Sequence, residues 1–483
     1  MKTAKMRLFC DISFFCGLMF KVFSQGFSYY PVLDDYIQYG GYPLYENLSF
    51  VYLNIGTIAT RPFAAALDPA LWGQFFPNMW IVLLFICVMF FAGVKLIASV
   101  FERMDTHITP FLYAVVLLIP LGFEGTYWIS ASSRICVGIF FAGLASHLLV
   151  KVIKNNKLYL IGYIPSTVLS FGFYESVMIS SALLQLTVIM TLVKSNKKRL
   201  LYLITPVVSG VCMLLYYKLA GNIGALGSRA NGFVLTGMGA RFTELLRQFA
   251  EIIIKGGGLT TAKGAFYGLR LLVSSVWGVV LLVLAVLISL SCGYFGGAVK
   301  FRAKVKYCIP LGIVLVLLPL VPNALAADVW LTYRSVVPAF FGLTLISAPI
   351  FSKLLKHRSV RTGVIFFMVL LFSLGNVNEL DTYRRVHETD DKLVTQIAQQ
   401  LDYDVLSGNK NTIVVLDEEI IAPQVSYYKD HVKSVFDSDW ALTGAVRAKA
   451  KNIKIKMITP VFSLEGVDTQ GKQIIYIGGN NGK

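Results

Sequence analysis

Apolar residues in this chain fall in long blocks of roughly 20 residues, the length a helix needs to cross the hydrocarbon core of a bilayer. Short polar connections divide them. The first block runs from Leu8 to about Phe27, and the others occupy about 79–101, 109–123, 134–150, 158–173, 176–193, 200–219, 271–293, 307–322, 336–351 and 361–377. This pattern predicts about eleven transmembrane helices. Pro165, Pro310 and Pro319 lie in the blocks 158–173 and 307–322, where kinks or breaks are expected. After Val377 the pattern changes. Residues 381–402 are polar and helix-prone, and Thr412 to Leu416 and Gln473 to Ile477 are short β-rich apolar runs. The expected organisation is an α-helical polytopic membrane region over 1–377 and a small α/β domain over 378–483.

Composition agrees with that class: 56% of residues are hydrophobic and 15% charged, against about 25% charged in soluble domains. Mean hydropathy is +0.65. The net charge of +17 would raise the question of nucleic acid in a soluble protein. Here the basic residues cluster in alternate connections: Arg103; Lys151, Lys154 and Lys157; Lys194, Lys197, Lys198 and Arg199; Lys300, Arg302, Lys304 and Lys306; Lys353, Lys356, Arg358 and Arg361. With eleven spans, every cluster lands on the side of Lys2, Lys5 and Arg7, which the positive-inside rule makes cytoplasmic. The odd count then puts residues 378–483 outside, and nucleic-acid binding is not needed to explain the charge.

Lys2, Lys5 and Arg7 before an apolar run, with Val22-Phe23-Ser24 at its end, also resemble a cleavable signal peptide. Asp11 and Lys21 interrupt the run and suit a retained bundle helix with partners better. The seven cysteines all lie in or beside apolar blocks and show neither a disulfide framework nor zinc spacing.

This topology collects a definite set of residues outside. The first loop, 26–78, supplies Asp34, Asp35, Tyr36, Glu46 and Arg61. The second supplies Glu124, Tyr127, Trp128 and Arg134, and the third Tyr174 and Glu175. A long fourth loop, 220–270, holds Arg229, Arg241, Glu244, Arg247, Lys255, Lys263 and Arg270, and the fifth holds Asp328, Trp330, Tyr333 and Arg334. Basic residues outside run against the positive-inside rule, and an anionic ligand is the obvious reason for them. In the fourth loop Phe242, Leu245, Leu246, Phe249, Ile252 and Ile253 form one face of a helix. Arg241 and Arg247 on it suit lipid headgroups or a substrate phosphate equally. His387, His431, Asp390-Asp391 and Asp417-Glu418-Glu419 in the last hundred residues form no nucleophile-base pattern, and the acidic runs read as solvated clusters.

The outer set matches the needs of sugar transfer from a lipid phosphate: a base for the acceptor hydroxyl and cations for the departing phosphate. Partial desolvation and an adjacent like charge both raise a carboxylate's pKa toward working pH, and Asp34 beside Asp35 meets the second condition. Either can be the base, and Asp34 can equally be a turn or cap residue. Arg61, Arg134 and Arg334 stand at the outer ends of three blocks, where arginine forks suit phosphate oxygens. Arg61 snorkelling, and Trp128, Trp330 and Tyr333 in an interfacial aromatic belt, are the plain alternatives.

Leu33-Asp34-Asp35-Tyr36 after the first block, Thr60-Arg61-Pro62 before the second, and Tyr127-Trp128 followed by Arg134 resemble the polytopic glycosyltransferases of the GT-C superfamily. Within it the layout, the Phe173-Tyr174-Glu175 turn and the small C-terminal domain are similar to the bacterial and phage serotype-converting O-antigen glucosyltransferases; Tyr174-Glu175 replaces that family's Tyr-Gln. The resemblance implies a bacterial inner-membrane enzyme. It would move a hexose, probably glucose, from undecaprenyl phosphate to a lipid-linked O-antigen or other surface polysaccharide on the periplasmic face, with a lipid-sugar synthase and a flippase as partners. It gives Asp35 or Asp34 the base role, and Arg334, Arg134 and Arg61 the donor phosphate. Tyr36, Tyr127, Trp128, Glu175 and Tyr333 would meet sugar or acceptor, with the aromatic rings stacking on a pyranose. No cofactor is certain; a divalent metal, Mg²⁺ or Mn²⁺, at Asp34 and Asp35 is left open. The rival classes are a transporter or flippase, which expects broken helices and polar groups at mid-membrane and an internal repeat, and a structural assembly or polymerase-type protein for the same polysaccharide.

Overall fold

The computed structural model describes residues 2–40, 60–154, 156–220, 234, 236–326, 328–352, 354–417 and 433–478. Its α-helices in chain order are α1 Lys2–Phe23, α2 Asp34–Tyr39, α3 Pro62–Ala70, α4 Trp80–Arg103, α5 Thr109–Leu118, α6 Phe123–Tyr127, α7 Ile129–Ile153, α8 Leu160–Phe171, α9 Glu175–Leu192 and α10 Asn196–Ala220. There follow α11 Met238–Glu251, α12 Gly264–Val273, α13 Val276–Ala298, α14 Val305–Leu317, α15 Val321–Leu325, α16 Ala339–Phe351, α17 Arg358–Gln400, α18 Tyr403–Leu406 and α19 Asp439–Ala450.

Each of the eleven apolar blocks carries a helix, and among the described residues seven are long and apolar enough to cross a membrane, or eight if the bent pair 109–118 and 120–127 is one span. The chain is thus a helical protein of membrane-spanning character with a small sheet. α10 shows the solvent its surface is built for. Leu200, Leu201, Ile204, Val207, Val208, Val211, Leu214, Leu215 and Leu219 are all exposed along it, an apolar stripe too long for contact with water. The helices meet through small residues. A Cβ at Gly93 of α4 would come within 2.7 Å of the Phe140 backbone, and one at Gly143 of α7 within 2.6 Å of the Gly93 carbonyl. Glycine at both positions lets the two backbones touch where apolar side chains alone would give helices no reason to associate.

The charged residues inside the first blocks are all engaged. Lys95 Nζ lies 2.7 Å from Asp11, which also accepts the Tyr113 hydroxyl at 3.1 Å. Lys21 has a different task. α5 ends where Pro120 interrupts the helix, releasing carbonyls that have no amide to accept. Lys21 Nζ donates to Leu117 O at 3.2 Å and Ile119 O at 3.1 Å, and Asn376 of α17 donates to Leu118 O at 2.7 Å. Pro165 and Pro310 are accommodated inside α8 and α14, whereas Pro319 stands in a 3-10 turn, Leu318–Leu320, between α14 and α15.

The amphipathic segment of the long loop is α11, continued through π-helical turns Ile252–Gly256 and Leu259–Lys263 into α12. Its arginines have partners within the protein. Arg241 donates to the carbonyls of Ala324 and Ala326, the spare acceptors at the end of α15. Arg247 pairs with Glu244 at 2.7 Å and Glu251 at 3.3 Å on its own helix. Arg229 and Glu46 lie outside the described residues.

No break marks position 377, because α17 runs 43 residues from the last apolar block into the C-terminal region. There a parallel sheet of order β2-β1-β3 is built from β1 Thr412–Leu416, β2 Ile458–Val461 and β3 Gln473–Ile477. Thr412 is in register with both Ile458 and Gln473. The end of α17 and α19 pack on this sheet around a core that includes Ile397, Val414, Leu442, Ile458 and Ile475. Asp390-Asp391 is not the solvated pair expected. Asp390 is buried and accepts from Ser434 Oγ at 2.6 Å and Val435 N at 2.9 Å, while exposed Asp391 pairs with Lys449 at 2.7 Å. Glu418, Glu419 and His431 lie outside the described residues.

Candidate functional site

The chain leaves α1 and turns sharply before α2, with Leu33 at φ 44°. For a residue with a side chain that backbone region costs about 1–3 kcal/mol and persists only where surroundings impose it. Asp35 does so. Its carboxylate, 1% exposed, accepts from Tyr29 Oη at 2.5 Å, Val32 N at 3.1 Å, Ser130 Oγ at 2.6 Å and Ser130 N at 3.2 Å. Ser130 belongs to the first turn of α7, whose amides have no partner within the helix. Tyr29 Oη takes the next one, Ile129 N, at 2.9 Å. Asp35 is therefore a remote cap that ties the loop to α7, and a negative charge there also suits the helix dipole. Burial outweighs these hydrogen bonds and pushes its carboxyl up to about 7.

Asp34, at the start of α2, is half-buried and close enough to Arg134 for their charges to interact. Adjacent in sequence, the two carboxylates have different surroundings. Both Asp35 oxygens already hold hydrogen-bond donors, so a cation shared by the pair would have to displace them. No group of three His, Cys, Asp or Glu side chains placed to hold a metal ion occurs among the described residues.

The three arginines are each paired with a carboxylate. Arg134 of α7 donates to Asp68 at 3.1 Å, both side chains buried, and Asp68 also accepts from Tyr39 Oη and Ser133 Oγ at 3.1 Å each. Arg61 grips Glu175 through Nε at 3.1 and 3.0 Å and Nη2 at 3.0 Å, and its guanidinium lies 4.4 Å from the Tyr174 ring centre. Arg334 lies 2.9 Å from Glu124 and 5.1 Å from the Trp128 ring centre. Arg61 and Arg334 keep 22% and 27% of their side-chain surface open, whereas Arg134 keeps 7%.

One network joins these groups. Trp128 Nε1 donates to Val32 O at 3.3 Å, Arg334 covers the Trp128 ring, Ser335 Oγ lies 3.4 Å from Tyr174 Oη, and Tyr174 carries Arg61. Tyr127 is fully buried, stacked between Tyr29, Phe123 and Tyr383, and accepts from Tyr30 N at 3.0 Å. Tyr333 is buried against Gly256. Tyr36 is buried toward the C-terminal core, its hydroxyl 3.1 Å from His387 Nδ1. His387 Nδ1 is also 3.2 Å from Pro31 O, so α17 clamps the loop from the other side. Beside this clamp opens a cavity of about 1070 Å³, lined on one wall by Tyr29, Tyr36 and His387 and on the other by Arg447, Lys449 and Lys454.

Val32, Trp128, Arg334, Ser335, Tyr174 and Arg61 with Glu175 are thus linked, Arg134 pairs with Asp68 near Asp34, and Tyr36, Tyr127 and Tyr333 are buried in the packing around them. The sequence reading missed Asp68, Tyr29, Tyr39 and Ser130. Asp68 alone left a signal, as a single carboxylate in the apolar stretch Pro62–Ala70. The chain matches no protein-family model, no curated protein and no solved structure.

Proposed function

We propose that this protein is a membrane glycosyltransferase of GT-C type, with about eleven spans, its N-terminus in the cytoplasm and residues 378–483 on the outer face of a bacterial inner membrane. It moves a hexose, in our reading glucose, from a polyprenyl phosphate to a lipid-linked O-antigen or other surface polysaccharide. The observation that carries this reading is the difference within the acidic pair: Asp35 is buried, bonded to α7 and fixes the loop, while half-buried Asp34 interacts electrostatically with Arg134.

In this mechanism Asp34 takes the proton of the acceptor hydroxyl as its oxygen bonds to the anomeric carbon. The bond from that carbon to the phosphate oxygen breaks, and polyprenyl phosphate leaves with the electron pair. Arg61 and Arg334, open at one edge and oriented by Glu175 and Glu124, meet the phosphate; charge-assisted forks of this kind suit a developing oxyanion. Arg134 holds the Asp68 anchor and adds its field at Asp34.

Chemical analysis of the surface polysaccharide in matched cells with and without the protein tests the reading. One hexose residue per repeat is expected to disappear without it. An unchanged polysaccharide contradicts the assignment of acceptor.

A further inference from the structure

A second cation-lined site lies earlier along α17 than the large cavity. Between α12 and the 378–385 stretch of α17 is a cavity of about 600 Å³, lined by Lys263, Tyr267, Arg270, Asn378, Asp381, Arg384 and Arg385 among others. Asn378, Asp381 and Arg385 recur at three- and four-residue intervals and so share one helix face. Asp381 holds the two arginines side by side, accepting from Arg384 Nη2 at 2.6 Å and lying 3.0 Å from Arg385 Nε. Lys263, which ends the π-helical turn before α12, and Arg270 of α12 line the cavity with them, and no ion pair of either occurs among the described residues.

Four cations face two carboxylates here, Asp381 and, 3.7 Å from Arg384, Glu388, so the cluster keeps a net positive charge that an anion would balance, and the elements that carry it are held close. A side chain at Gly268 of α12 would collide with the Leu374 carbonyl, so the two helices are in backbone contact. The surroundings identify the kind of anion. Phe266, Val273, Val276 and Trp277 are exposed next to the site, Trp277 at 79%, and apolar and tryptophan side chains presented together mark the interface of a bilayer. Arginine forks with a nearby ammonium match phosphate oxygens.

We propose that this cavity binds the phosphate headgroup of a membrane lipid, whose chain lies along the exposed apolar surface of α12 and α13. The inference does not depend on the transferase reading. Tyr267 and Asn378 supply polar contacts beside the phosphate, and Arg384 lies close enough to Tyr30 of the first loop for their charges to interact.

The test uses the purified full chain in nanodiscs of neutral lipid. Undecaprenyl phosphate, phosphatidylglycerol and inorganic phosphate are titrated separately, with bound ligand read by native mass spectrometry. K263Q/R270Q removes the two cations without touching a buried pair, and R270K keeps the charge. Binding of a lipid phosphate is expected to weaken at least ~10-fold in K263Q/R270Q, the loss of one or two charge-assisted hydrogen bonds, and to stay within ~3-fold in R270K. Lipid binding unchanged in the double variant overturns the site. Inorganic phosphate bound as tightly as the lipids makes it a free-anion site and overturns the lipid assignment. Because the readout is binding, loss of sugar transfer from another cause leaves it unmoved.

Discussion

The chain contains two adjacent aspartate pairs, Asp34-Asp35 in the first loop and Asp390-Asp391 near the end of α17, and they are folded by the same rule. In each, one carboxylate is buried and accepts a serine hydroxyl at 2.6 Å together with a backbone amide of a distant segment: Ser130 for Asp35, Ser434 and Val435 for Asp390. In each, burial pushes that carboxyl up to about 7. Their neighbours differ. Asp391 is neutralised by Lys449 at 2.7 Å on the surface, whereas half-buried Asp34 interacts electrostatically with buried Arg134. In both pairs one buried carboxylate pins a distant segment, and the surroundings of its neighbour distinguish the two.

Breaking the region around the first pair has the largest expected effect. Arg134→Gln leaves Asp68 charged and buried, and a loss of about 3–5 kcal/mol is expected, read as a large drop in melting temperature by a thiol- or tryptophan-based unfolding assay in detergent. R134Q combined with Asp68→Asn should recover part of it. Next come the pins. Asp35→Ala strands several buried donors and should cost about 3 kcal/mol, against about 2 kcal/mol for Asp390→Ala, which strands fewer. Equal, negligible losses in both would show that neither carboxylate pins anything.

The shared rise in pKa gives a smaller, shared signature. Both carboxyls titrate lower when unfolded, near 3.8, than when folded, near 7. The folded state thus holds the proton more tightly, and the stability from this source is complete below about pH 3.8 and lost as pH rises through about 7. Melting temperature measured across that window should fall for the wild type, and fall less in D35N and in D390N. Smallest is the exposed pair: Lys449→Gln should change stability by no more than about 0.5–1 kcal/mol. A larger loss would mean that Asp391, like Asp34, has more than a surface partner.

Much of this fold was legible in the sequence because it depends on local pattern. The apolar blocks became helices, Thr412–Leu416 and Gln473–Ile477 became β1 and β3, and the amphipathic run became α11. β2 was hidden because Ile458–Val461 contains Pro460 and follows a lysine-rich turn. The helix across position 377 was not legible, because a change of composition along a helix need not end it; α17 continues to Gln400. At the candidate site the residue types were legible and their partners were not. Arg61 with Glu175, Arg134 with Asp68 and Arg334 with Glu124 are each joined across many tens of residues, and no spacing rule reaches that far. The different surroundings of Asp34 and Asp35 were hidden for the same reason, since Ser130, 95 residues away, holds Asp35. Lys21 shows the limit in another form, as an intramembrane charge that serves backbone carbonyls exposed by Pro120.

The central claim is that Asp34 does chemistry while Asp35 holds it in place. The most direct measurement is sugar transfer from a polyprenyl-phosphate glucose donor in membranes containing matched amounts of the wild type, D34N and D35N, each with its melting temperature. The account predicts that D34N loses about 10²–10⁴-fold in rate, the contribution of a general base, at a smaller cost in stability than D35N. Full transfer activity in a stably folded D34N would contradict it.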